Sequence, residues 1–159
     1  MTMRALVFTL GPYRLLVEAV RVCEVLEHGG VSRVRGGGHV SWRGRLVPEI
    51  SLSALLDCPE QDCEGLVDIV YGNPEGAAVL FKVDRVLGLR GLNRDQQYRL
   101  PALAPALLRL FSVIVLDPVD RRGILWMEAG PELLLEQWHD YCEARCKAVP
   151  EPSGPGWLS

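Results

Sequence analysis

Little in this sequence suits a reactive or membrane-spanning protein. Its 159 residues include three histidines, His28, His39 and His139. It has no G-x-S-x-G elbow, no H-E-x-x-H pair and no Cys-x-x-Cys, so the common nucleophile and zinc signatures are missing. No apolar run approaches the roughly 20 residues that a helical membrane span requires. The opening "MTMRALVFTL" lacks a signal-like cleavage region and reads as a first strand. A net charge of −3 gives no electrostatic reason to expect nucleic acid, and the arginines at 33, 35, 43 and 45 read as a solvated local patch. The Gly-rich stretch "HGGVSRVRGGGH", 28–39, has neither the spacing nor the lysine of a phosphate-binding loop and reads as a surface excursion. These absences favour a cytosolic protein that recognises partners, works without a cofactor and catalyses nothing.

What is present is an interior. An apolar fraction of 48% excludes a disordered chain and is enough to fill a core. The five cysteines stand at 23, 58, 63, 142 and 146, an odd count that suits reduced thiols better than a disulfide framework. His139, Cys142 and Cys146 fall at i, i+3 and i+7, along one face of a helix, and are the candidate metal ligands. Zinc takes four such groups. Cys58 or Cys63 could complete the set only if the fold brought them close, and the plainer reading is no metal, with Cys142 packing as a small apolar residue.

Short apolar runs separated by turn signals fill the first 130 residues. "RALVFTL" and "YRLLVE" flank Gly11-Pro12 as a hairpin. "VRVCEVLE", 20–27, mixes apolar and polar residues and reads with Val20, Val22 and Val25-Leu26 inward and Arg21 and Glu24 outward. "SWRGRLVPEISL", 41–52, predicts a strand ending near Trp42, a turn at Arg43-Gly44 with positive φ at the glycine, and a second strand out to Leu52. Pro48 within that strand marks an edge or a bulge. A single helical turn over 53–57 takes Ser53 as its N-cap. Residues 57–65 are a polar connector, after which "LVDIVYG" and "GAAVLFKVD", then "FSVIVLD" and "GILWME", repeat the hairpin style. The stretch 92–110 is a longer connection whose leucines past Pro105 are candidates for burial. Pro131 opens the one convincing helix, with Leu134, Trp138, Tyr141, Cys142 and Arg145 near one face. Glu132 near its start, and Arg145 and Lys147 near its end, suit the helix dipole. The tail, 149–159, is rich in Pro and Gly and is expected to be loose.

Taken in order, "ALVFTLGPYRLLVEAVRVCEVLE", "SWRGRLVPEISLSALL", "AAVLFKVDRVLGLRGL" and "FSVIVLDPVDRRGILWMEAGPELL" resemble the CheW family, the adapter proteins of bacterial chemosensory arrays. The resemblance covers roughly residues 4–138. It implies a mainly β fold of two intertwined five-stranded SH3-like β barrels with a C-terminal helix, forming a single domain over 1–148. It implies a scaffold that joins the cytoplasmic tip of a chemoreceptor to a CheA-type histidine kinase, recruited to membrane arrays without inserting in the bilayer. Arg43 and Gly44 match the family's Arg-Gly turn, and Val22 and Glu24 match the outer strand of the same interaction surface. An exposed arginine beside a carboxylate can make charge-assisted contacts with a partner, or it can be an internal Arg43–Glu24 surface pair.

The chain departs from the family pattern on that side. Ser41-Trp42 stand where Asn-Leu is usual, Glu49 where an apolar residue is usual, and Ser51-Leu52 where Asp-Leu is usual; the preceding loop is several residues short. Trp42, if exposed, is an aromatic anchor for a partner; if buried, it fills space that the shortened loop leaves. The expected protein-binding set is therefore Val22, Glu24, Trp42, Arg43, Gly44 and Glu49. The changes also leave open another regulatory protein as the partner.

Overall fold

A computed structural model describes residues 2–27, 32–33, 37–58, 67–93, 95, 97–99 and 110–148. The expected connector near 57–65 lies mostly outside these residues, as do Cys63, most of the Gly-rich stretch and the whole of 149–159. The first hairpin forms as the sequence implies. Strand β1 (Thr2–Leu10) pairs antiparallel with β2 (Tyr13–Glu18), Leu10 opposite Tyr13. Its turn is held from far along the chain, because the Gly11 amide donates to Asp84 Oδ2 at 2.8 Å and the Asp84 amide donates to the Thr9 carbonyl at 2.9 Å. The Val83-Asp84 step is thus a clasp on the first turn.

After β2 a 3-10 turn (Ala19–Arg21) leads into β3 (Val22–Leu26). Here the sequence pattern misleads: Val20 sits in the 3-10 turn and is 82% exposed, not inward as expected. Next come β4 (Ser32–Arg33), β5 (His39–Trp42), β6 (Arg45–Pro48) and a one-turn helix α1 (Leu52–Leu55). The β6 strand stops at Pro48 instead of reaching Leu52. Beyond the proline the chain leaves β5 and joins another strand, the Ile50 amide donating to the Leu80 carbonyl. Ser51, not Ser53, caps α1 by accepting from the Ala54 amide at 3.2 Å.

The second half adds β7 (Val67–Gly72) and β8 (Ala78–Val83), then β9 (Arg85–Asn93), β10 (Gln97–Arg99), β11 (Phe111–Leu116) and β12 (Gly123–Met127). The long helix α2 (Pro131–Ala148) closes the order. Among the described residues the strands make a six-stranded sheet, β10-β11-β12-β2-β1-β9, and two three-stranded sheets, β3-β7-β8 and β4-β5-β6. The fold is mainly β, as expected, and the Glu49–Leu80 bridge links two of these sheets. The halves do exchange strands: the N-terminal hairpin joins β9–β12, with β2 parallel to β12, while β3 joins β7 and β8.

Three apolar clusters explain this arrangement. Met3, Ala5, Val7, Leu16, Ile124 and Trp126 fill one side of the large sheet. Leu6, Phe8, Leu15, Val17, Leu125 and Met127 alternate with them along the same strands and face a central core. That core also takes Ile69, Tyr71, Val79, Phe81 and Val83 from β7 and β8, Leu52 and Leu56 near α1, and Leu134 from α2. The opposite faces of β7 and β8 give Val70, Ala78 and Leu80 to a third cluster with Val40, Trp42 and Val47. Leu110 is buried in the central core, while the leucines before it lie outside the described residues.

Gly72 ends β7 at φ +136°, and a Cβ there would stand 2.3 Å from the Ala77 carbonyl oxygen and 2.8 Å from the Ala78 Cα. Gly72→Ala is expected to cost about 2 kcal/mol or more, whereas Gly91→Ala, on an open strand position, should stay within about 0.5 kcal/mol; urea denaturation midpoints check both. Arg14 pairs with Asp120 at 2.6 Å and with the buried Asp117 at 3.1 Å. The Arg14 hydrogen bond holds the Asp120 carboxyl below its ordinary value. Because the folded value is the lower one, the contribution is present above the unfolded carboxylate's pKa and is lost as pH falls through the folded value. Asp120→Asn should therefore flatten the acid limb of the stability curve between about pH 5 and pH 3; an unchanged limb would refute this.

Candidate interaction site

The β5–β6 connection is a two-residue turn in which both residues have positive φ, +47° at Arg43 and +76° at Gly44. That is the geometry whose twist matches a hairpin, and it favours Asn-Gly. The sequence reading assigned the left-handed conformation to Gly44 alone. A bulky residue there costs on the order of 1 kcal/mol, so Arg43 needs compensation. It has two partners. Its Nη2 lies 2.7 Å from Glu24 Oε1, and its guanidinium sits 4.8 Å from the centroid of the Trp42 ring. Trp42 Nε1 in turn donates to Glu24 Oε2 at 3.4 Å. Glu24 therefore joins β3 to the turn through both oxygens, and the internal Arg43–Glu24 pair is formed.

The bulge in β3 makes this reach possible. Strict alternation would put Val22 and Glu24 on one face, but the register against β7 shifts between them: Val22 stands opposite Tyr71 and Glu24 opposite Val70. Val22 packs on the central core and Cys23 on the third cluster, while Glu24 turns to the tryptophan and arginine. The Arg43 side chain remains 60% exposed over this clamp.

Trp42 is only 4% exposed. It fills the third cluster beside Val40, Val47 and Leu80, so it is not a free aromatic anchor. Glu49 is not part of the clamp either. It lies beyond the far end of β6, where its amide donates to the Gly38 carbonyl at 2.9 Å and it bridges to Leu80. The structure thus gathers Glu24, Trp42, Arg43 and Gly44 at one rim, turns Val22 of the same strand to the central core, and leaves Glu49 at the opposite end of β6.

Two further arginines, read from the sequence only as solvated or outward-facing, make structural ties. Arg45 donates to the Pro74 and Gly76 carbonyls and ties β6 to the β7–β8 turn. Arg21 donates to the Glu128 carbonyl at 2.9 Å and approaches the Tyr71 hydroxyl at 3.4 Å, while that hydroxyl donates to the Ala129 carbonyl at 2.7 Å. Nothing in their local spacing marks them, since their partners lie 29 to 107 residues away.

No group of three or more metal-binding side chains comes together among the described residues. His139 and Cys146 are exposed on α2 and Cys142 is half-buried, while Cys58 packs in the central core beside Gly11. Burial pushes the thiols of Cys23, Cys58 and Cys142 up, which keeps them protonated and weakly nucleophilic. Among the described residues no helix is long and apolar enough to cross a membrane.

With this geometry in place, the comparisons decide the family. The model of the CheW-like domain matches residues 4–117. The chain belongs to the CheW-like domain family. A comparison with curated proteins finds no match. Among solved structures, the scaffolding protein TtCheW from Thermoanaerobacter tengcongensis superposes with a TM-score of 0.68 at 16% identity, over 82% of this chain and 91% of that one. At that identity the likeness speaks for the fold. The matched region holds the whole Arg43 rim; β12 and α2 follow it.

Arg43→Asn replaces the strained residue with the one this turn favours, gaining up to about 1 kcal/mol, and it removes an exposed ion pair worth about 0.2–1 kcal/mol. Chemical denaturation should find the variant within about 0.5 kcal/mol of wild type, since the two terms oppose. A loss above about 2 kcal/mol would show that the arginine is structural.

Proposed function

We propose that this CheW-like protein is a non-catalytic adapter of a chemosensory system, holding a chemoreceptor's cytoplasmic tip and a CheA-type histidine kinase in the cytoplasm. The observation that carries the reading is the Arg43 rim: a strained, mostly exposed arginine stacked on a buried tryptophan and fixed by Glu24, on the turn that matches the family's Arg-Gly motif. Strain at a surface turn persists where function selects it. A guanidinium fixed on two sides presents its remaining donors at low entropic cost to a partner's carboxylate or backbone carbonyl. Val22 and Glu24 supply the neighbouring strand of the surface.

A second reading has its own support. Trp42 changes the underside of the turn, and Ser41 and Glu49 change its flanks, so a CheW-like scaffold that binds a different regulatory protein is the alternative.

The two are separated by capture from the native host with wild type, Arg43→Asn and Arg43→Glu. The adapter reading expects wild type to retain a CheA-type kinase and a receptor, and both arginine variants to lose at least one of them while keeping a wild-type circular dichroism spectrum. Capture of some other regulator, lost in the same variants, supports the alternative. Equal capture by all three proteins would remove Arg43 from the interface.

A further inference from the structure

A separate concavity lies between α2 and the β6–β8 side of the molecule, a groove of about 570 Å³. Its floor is apolar and low, built by Pro48, Ala77, Ala78 and Val79, with Leu135 of α2 on the wall. Along the α2 rim stand Glu132, Glu136 and Asp140, all exposed. They follow at i, i+4 and i+8, so the carboxylates repeat at about 6 Å along the rim. No basic side chain forms an ion pair with them among the described residues. Arg45 on the opposite rim is held by two backbone carbonyls, and Arg145 lies 5.6 Å from the Tyr141 ring centroid. Arg21, which feels the Glu132 charge at one end of the rim, donates to the Glu128 carbonyl, and His139 lines the groove beside Glu136 and Asp140.

We propose that this groove docks a basic amphipathic helix of a partner protein. A helix carrying Lys or Arg at i, i+4 and i+8 has the same repeat as the acidic rim, and its apolar stripe fits the alanine-floored trough. Small floor residues let the incoming backbone come close. Charge complementarity argues against the chain's own C-terminal segment as occupant, because 149–159 contains Glu151 and no Lys or Arg. The groove lies apart from the Arg43 rim: Arg43 reaches back to β3, whereas Arg45 reaches to the β7–β8 turn. The proposal therefore does not rest on the adapter reading.

The probe is a synthetic helical peptide of about 18 residues with lysines at i, i+4 and i+8 and leucines opposite, long enough to form helix on binding. Amide shift mapping should show saturable binding centred on Ala77–Val79 and Glu132–Asp140. Glu136→Lys combined with Asp140→Lys should weaken it by about tenfold or more, because opposed charges are replaced by like ones. Ala77→Trp, which fills the trough and leaves the acids in place, should weaken it as well. Arg43→Glu should leave peptide binding unchanged. Equal binding of a scrambled peptide, indifference to the double lysine variant, or absence of saturable binding would each overturn the proposal. So would self-association of the wild type that disappears in the double lysine variant, which would assign the groove to a second copy of the chain.

Discussion

The double-sided burial of two strand pairs governs the rest of the structure. β1 and β2 feed the central core with one set of side chains and the interior of the large sheet with the other, and β7 and β8 do the same between the central core and the third cluster. A strand buried on both faces has no solvent face to shift onto, so a slip of one residue exchanges two packed sets at once. That fixes register more firmly than hairpin turns alone. It also explains why the chain exchanges strands between halves: the central core is filled only when the N-terminal hairpin, β7 and β8, and the first turns of α2 are all present. Distant contacts then hold the parts in place, with Asp84 clasping the first turn and Tyr71 and Arg21 fastening the segment that leads into α2.

A core determined in this way tolerates irregularity at the rim. The bulge in β3 and the left-handed Arg43 are both local departures from ideal geometry, and they meet in one contact through Glu24. Each would be a weakness on an isolated hairpin. Here the hairpin's other face carries Val40, Trp42 and Val47 into a buried cluster, and that anchorage lets the turn hold its strained arginine toward solvent. The pair itself contributes little to stability because Arg43 stays exposed. Its greater effect is to restrict the guanidinium to one place.

Much of the fold was legible because period-2 patterns and turn chemistry are local. The hairpins at Gly11-Pro12, at Arg43-Gly44 and around "PVDRRG", and the helix opening at Pro131, all lie where the sequence indicates. Two readings failed for non-local reasons. Val20 reads as an inward residue, but the chain there makes a 3-10 turn so that Arg21 can reach Glu128. The strand through "RLVPEISL" stops at Pro48 because its continuation pairs with β8, a strand some 30 residues further on. The division into sheets depends on which strands cross between halves, and alternation does not encode partners. At the site, Arg43, Gly44 and Glu24 were readable from motif and charge. The sequence leaves open the burial of Trp42 and does not reveal that Glu49 lies apart from the clamp, since both depend on how β5 and β6 curl against β7 and β8.

The departures of this chain from the family pattern can now be weighed by location. Trp42 points inward, so its exchange for a smaller residue alters the support of the Arg43 turn without adding an exposed ring. Ser41 lies on the exposed face of β5 opposite Leu46, which is 60% exposed, and a polar residue there leaves the hairpin's outer face without a continuous apolar strip. Glu49 stands where the chain passes from β5 to β8, a position that backbone hydrogen bonds define and that leaves its side chain half-exposed. None of the three disturbs the doubly buried strands. Changes at the underside, outer face and far end of this one hairpin therefore leave the scaffold fixed, and two neighbouring positions show how finely this divides. Arg43 and Arg45 bracket a single glycine, yet one clamps β3 and the other ties down the β7–β8 turn, so a substitution at either changes one side of the hairpin without displacing the other.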